Sequence, residues 1–116
     1  MRIKPVQVAI HDPKYADSIR NLLVEDGRRQ VYLVERPDVE LEGVILIDAA
    51  RLDDLPLLSK ENERLVVMVR QGGDDLARVW DAGVRHVVFY GDSPHMARIM
   101  VLGVELTLAS TKVLVH

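Results

Sequence analysis

Five short runs rich in Val, Ile and Leu alternate along this chain with segments that have the marks of helices, and that alternation limits its fold more than any other feature. The runs are Val6–Ile10, Gln30–Glu35, Val44–Ile47, Leu65–Val69 and His86–Tyr90. After the first, Asp12-Pro13 supplies an N-cap followed by a proline at the first helical position. Tyr15, Ile19, Leu22 and Leu23 then share one face, and Gly27 offers a stop. Gly73-Asp74-Asp75 opens another helix, with Leu76, Val79 and Trp80 expected on one face and Gly83 beyond it. Asp92-Ser93-Pro94 begins the last helix, which should reach about Ala109. The third and fourth runs are apolar throughout, as strands covered on both faces must be.

Strands alternating with helices predict a mostly parallel sheet with helices on both faces. Right-handed crossovers reduce the topologies to a few. The expected fold is α/β: a flavodoxin-like five-stranded parallel sheet of order 2-1-3-4-5. Two connections are thin. Arg36 to Gly43 contains Pro37 and is too short for a full helix, so the helix between strands two and three is shortened. Ala49 to Arg64 has room for a short helix around Asp53 to Ser59, with Asp53-Asp54 as its starting charge pair. The 116 residues make one domain, expected over 1–110, with 111–116 as a C-terminal tail or linker start.

Composition removes several classes of function. The net charge is −3, which gives no electrostatic case for nucleic acid as a direct partner. With no cysteine, disulfides, thiolate metal sites and cysteine catalysis are excluded, and a cytoplasmic setting fits. The most apolar stretch, Met96 to Ala109, is interrupted by Arg98 and Glu105 and is too polar for a membrane span. No nucleophile elbow, dinucleotide fingerprint or phosphate loop is present, so an enzyme is not expected.

In the order 2-1-3-4-5, strands one and three are neighbours, and a ligand crevice lies at their carboxyl ends. Strand one ends in His11-Asp12, strand three in Asp48, strand four in Arg70 and strand five in Tyr90. Asp12 and Asp48, on adjacent strands, offer hard oxygen ligands of the kind Mg²⁺ takes. A carboxylate can also act as a nucleophile toward phosphorus. Asp12 has a second role available, because Asp before Pro is a good N-cap without any metal. Arg70 has three: pairing with Asp48 or Asp12, holding a phosphate, or extending into solvent. His11 is a further metal-ligand candidate or a plain strand-end histidine. Tyr90 either donates to a bound oxyanion or packs its ring and leaves its hydroxyl in water.

Val-Ala-Ile-His11-Asp12, Val-Ile-Leu-Ile-Asp48, and Asp81-Ala82-Gly83 followed by Val-Val-Phe-Tyr90 resemble, in order, the landmarks of the response-regulator receiver family. The resemblance implies a signal-transduction domain of a two-component phosphorelay. It makes Asp48 the phosphoacceptor, Asp12 and Asp48 the ligands of Mg²⁺, and a histidine kinase or phosphotransfer protein the partner. His11, Arg70 and Tyr90 become neighbours of the site.

The chain departs from that family at several points. His11 replaces the first acid of the usual pair. Arg70 stands where a Thr or Ser is usual, and Tyr90-Gly91 where Lys-Pro is usual. Val87 occupies the aromatic switch position. The resemblance is therefore to an atypical member, a pseudo-receiver, and the alternative is a phosphorylation-independent interaction or dimerisation module on the same fold. The last helix has more apolar residues than one buried stripe requires, Met96, Ile99, Met100, Val101, Leu102, Val104, Leu106 and Leu108 among them. That excess predicts self-association or a partner protein on the surface formed by the fourth helix, strand five and the last (fifth) helix.

Overall fold

A computed structural model describes residues 3–54 and 59–114. Five strands, β1 (Val6–Ala9), β2 (Val31–Leu33), β3 (Ile45–Asp48), β4 (Leu65–Val69) and β5 (His86–Phe89), form one parallel sheet of order β2-β1-β3-β4-β5. The expected fold class and strand order are those found. The described residues hold three α-helices: α1 (Pro13–Val24) after β1, α2 (Asp75–Asp81) between β4 and β5, and α3 (Pro94–Leu114) after β5.

The period-two alternation of the strands sorts side chains into two cores. Val6, Val8, Leu46, Val66, Met68 and Val88 meet Ala16, Ile19 and Leu23 of α1 and Ala97, Val101 and Val104 of α3. On the other face, Ala9, Ile45, Ile47, Leu65, Val67 and Val69 meet Leu52, Val79 and Val84. That second face is thinly covered. Its cover is α2, only seven residues long, and a 3-10 turn at Ala49–Asp54; a second such turn, Ser59–Arg64, leads into β4. The short helix expected around 53–59 falls partly on residues 55–58, which lie outside the described residues. Leu76 and Trp80 of α2 do not share the buried face expected of them: Val79 is buried, and both of the others are exposed. One turn shorter than most helices, α2 presents a single apolar position to the sheet. Helix α3 continues past Ala109 to Leu114.

The shortened helix expected between β2 and β3 is absent altogether: the connection is brief and Pro37 sits inside it. Polar bonds fix the loop instead. Gln7 is a buried amide in the middle of β1. Its Nε2 donates to the Asp38 carbonyl at 2.9 Å, and its Oε1 accepts from the Asp38 N–H at 2.7 Å. Arg64, also buried, donates to the carbonyls of Val39, Leu41 and Gly43 at 2.6, 2.6 and 3.0 Å. Gly43 closes the loop at φ +117°, where a Cβ would collide with the Pro5 carbonyl.

A second buried polar group ties α1 to α3. The Arg29 side chain is almost wholly buried; its Nε donates to Glu105 at 2.8 Å, and its Nη1 to the Leu23 carbonyl at 2.7 Å and to Asp26 at 2.9 Å. Burial pushes the Glu105 carboxyl above its usual range, and the bond from Arg29 opposes that shift.

Two outcomes test these polar pins. Gln7→Leu strands both backbone groups of Asp38 and should cost about 1–3 kcal/mol in urea unfolding. Arg29→Met leaves Glu105 buried without its partner and should cost about 3–5 kcal/mol, most of it recovered in the double variant Arg29→Met/Glu105→Leu. A double variant as unstable as the single one would show that lost packing, and not the orphaned carboxylate, dominates.

Candidate functional site

The carboxyl edge brings Asp48, His11 and Tyr90 together. Asp48 is the last residue of β3 and is 3% exposed. Its Oδ2 accepts the backbone N–H of His11 at 2.6 Å, from the end of neighbouring β1. Its Oδ1 accepts the hydroxyl of Tyr90, which follows β5 and reaches across the end of β4. Both carboxylate oxygens are thus bonded to the chain's own donors.

Tyr90 is firmly placed. Its N–H donates to the Val69 carbonyl at 3.1 Å. The turn after it is closed by Asp92, whose Oδ2 accepts the Phe89 N–H at 3.1 Å and whose N–H donates to the Phe89 carbonyl at 2.9 Å. The Tyr15 hydroxyl donates to the Asp92 carbonyl at 3.3 Å, linking this turn to α1. Burial, reinforced by the bond to the Asp48 carboxylate, holds the Tyr90 hydroxyl far above the ordinary tyrosine range. The Tyr90 hydroxyl, expected to donate to a bound oxyanion or to lie in water, donates instead to the chain's own Asp48 carboxylate.

Asp12 caps α1. Its Oδ1 accepts from the N–H groups of Lys14 at 3.0 Å and Tyr15 at 3.4 Å, satisfying two of the free donors of the first turn. His11 has an exposed ring, and Arg51 Nη2 lies 3.5 Å from its Nδ1. Arg51 also donates to the Glu35 carbonyl at 2.8 Å, so its side chain spans the ends of β3, β1 and β2.

Arg70 joins neither Asp48 nor Asp12, which corrects the pairing considered from the sequence. Its side chain is 74% exposed and turns to Asp75, with Nε at 3.0 Å and Nη2 at 3.3 Å. Asp75 also accepts the Arg70 backbone N–H at 3.2 Å. The physical reason is proximity: the Gly72-Gly73 turn folds Asp75 back onto a residue five positions earlier. The Arg70 side chain beside Asp75 lowers that carboxyl below its usual range, against the effect of burial.

Arg51 and Asp75 were not among the residues singled out in the sequence. For Asp75 the signal existed, in an acid just after a Gly-Gly turn; nothing in the sequence marks Arg51. As arranged, the donor set does not fit Mg²⁺. Asp48 is committed on both oxygens and shut off from the water such an ion keeps, and Asp12 is turned to its helix. Among the described residues, no three His, Cys, Asp or Glu side chains form a group able to hold a metal ion.

Several solved structures share this five-stranded parallel fold, and two of them contain signal-receiver or response-regulator chains of the following likeness. One is the signal receiver domain of a Luxo repressor protein from Vibrio parahaemolyticus, with a TM-score of 0.66, 12% identity, and 100% of this chain and 99% of that one covered. The other is full-length FixJ from B. japonicum, with a TM-score of 0.57 and 14% identity over 90% of this chain and 58% of that one. No family model and no curated protein sequence matches the chain.

The Tyr90–Asp48 bond has a pH signature. Because the hydroxyl pKa is raised on folding, its contribution is complete below about pH 10, the unfolded value, and is lost as pH rises through the folded value. Wild type should exceed Tyr90→Phe by about 1–2 kcal/mol near neutral pH, and the gap should begin to close above about pH 10. Denaturant melts of both proteins across that range measure it; a gap that keeps its size in strong alkali would refute the assignment.

Proposed function

We propose that the chain is a receiver-type regulatory domain that works through protein–protein contacts without a phosphoryl group on Asp48. The observation that carries this reading is the double engagement of Asp48 at 3% exposure. A carboxylate attacking phosphorus needs a free oxygen, a path for the donor and positive charge on the phosphoryl oxygens. Here the Tyr90 hydroxyl occupies one oxygen and the His11 amide the other, while the guanidinium of Arg70 is spent on Asp75. Opening the site would break bonds to a buried carboxylate, each worth about 1–3 kcal/mol.

The likeness to receiver structures supports a role in signal transduction, in the cytoplasm, and it keeps phosphotransfer from a histidine kinase to Asp48 as the competing reading. No helix among the described residues is long and apolar enough to cross a membrane. The contact surface is the side of the domain around β5, the last strand of the sheet. Leu76 and Trp80 of α2 lie exposed on one side of it, and Met96, Ile99 and Leu106 of α3 on the other. Large apolar side chains exposed together mark interaction surfaces.

Incubation with acetyl phosphate and Mg²⁺ followed by intact-mass measurement decides between the two readings. The mass of the wild-type chain should not change. A phosphate adduct that disappears in Asp48→Asn would overturn the proposal and make this a working phosphoacceptor.

A further inference from the structure

The two edges of the sheet are finished differently. One edge is β5 and the other is β2. In β5, the Tyr90 N–H turns to the Val69 carbonyl of β4, so Val87 and Phe89 direct their backbone groups away from the sheet. Phe89 gives both of its groups to Asp92, and Val87 alone is too little for a further ladder. In β2, the Gln30 carbonyl accepts the Val6 N–H at 3.0 Å, and the Val34 N–H donates to the Val8 carbonyl at 2.9 Å. The even-numbered residues thus face β1, while Val31 and Leu33 present their N–H and C=O groups outward. Among the described residues, none bonds to those groups.

The usual ways of blocking an edge are missing here. Val31–Leu33 holds no charge and no proline, and the whole run Gln30–Val34 is uncharged. Tyr32 shares the thinly covered face with Val34 and is 42% exposed; Leu33, on the other face, is 43% exposed. Charge decides which strand fits and in which direction. The uncharged run is bounded by Arg28 and Arg29 at one end and by Glu35 at the other, and Arg28 and Glu35 are both exposed. Arg36, next along, is engaged elsewhere in the chain. A second β2 laid antiparallel brings each Glu35 to the arginine end of its neighbour, whereas a parallel one would set like charges side by side. With a two-fold axis at Tyr32, Val31 of one copy stands opposite Leu33 of the other, and each such pair exchanges both backbone bonds. The two Tyr32 rings meet at the axis as a non-hydrogen-bonded pair, where side chains lie closest.

We infer that β2 pairs antiparallel with β2 of a second copy of this chain, joining two five-stranded sheets into one across Tyr32. The Asp92 turn on the far edge closes the assembly at two copies. The contact lies at the opposite end of the sheet from β5 and does not depend on how Asp48 is read.

Leu33→Pro removes an outward N–H that the folded chain does not use, and an edge strand accepts proline in that orientation. Leu33→Lys keeps the N–H and sets a charge on the edge. The full wild-type chain should sediment as a dimer at several hundred micromolar, and both variants as monomers with the circular dichroism of wild type. The chain has no cysteine, so a single introduced thiol reports the axis. In Tyr32→Cys the two Cα atoms lie about 4.5 Å apart, within the reach of a disulfide. That variant should oxidise to a covalent dimer about tenfold faster than Ser18→Cys, on the exposed side of α1.

A wild-type chain that is monomeric at that concentration would overturn the inference. So would equal oxidation rates for the two thiols, or a dimer that survives both Leu33 substitutions. A dimer kept in those variants and lost on Leu106→Glu would place the contact beside β5 instead. A phosphate adduct on Asp48 would defeat the proposed function and leave all of these results unchanged.

Discussion

The middle strands of this sheet are apolar on both faces, so the chain must supply cover on both sides, and much of its architecture follows from the unequal way it does so. One face receives α1 and the long α3, whose Ile19, Leu23, Val101 and Val104 are fully or almost fully buried. The other receives one short helix, a 3-10 turn and a loop. Where a helix is missing, a strand residue has changed character. Gln7 stands in register with Tyr32 of β2 and Ile45 of β3, and it bonds to loop backbone instead of packing against a helix. Arg64 does the same from the other side of the loop. Backbone polar groups left without partners under such a loop would be costly, which is why the cover is built from an amide and a guanidinium.

The carboxyl edge follows the same logic of internal satisfaction. Three strand-end groups that would be available to a ligand are each used by the protein. Asp48 takes Tyr90 and the His11 amide, Asp12 takes the first turn of α1, and Arg70 takes Asp75. Tyr90 is held by the turn at Asp92, which in turn accepts Tyr15 from α1. The edge is thus connected to the helix layer on the α1–α3 face. Its geometry depends on packing there.

Much of the fold was legible in the sequence because it rests on period and punctuation. Apolar runs of four or five residues marked the strands, Asp12-Pro13 and Ser93-Pro94 marked helix starts, and Pro37 in a short connection pointed to a curtailed helix where the fold has none. Helix α2 was misjudged in its facing, since three apolar residues at helical spacing suggest a buried stripe and only Val79 is buried. At the site, the sequence brought Asp48, Asp12, His11, Arg70 and Tyr90 to one edge because strand ends must meet there. It did not determine which bonded to which. That depends on distances of a few ångströms set by turns: the Gly-Gly turn delivers Asp75 to Arg70, and the Asp92 turn aims Tyr90 at Asp48. Charge alone favoured Arg70 for Asp48, and loop closure decided otherwise.

Neutral donors, not cations, hold the buried Asp48 carboxylate, and this has a consequence for how the domain meets its surroundings. An amide and a phenol are not drawn off by chelators and are barely screened by dissolved salts. The conformation of this edge is held by the chain's own groups. If the domain works as proposed, its binding surface does not wait on a divalent ion, and regulation falls to the supply of the molecules that bind it.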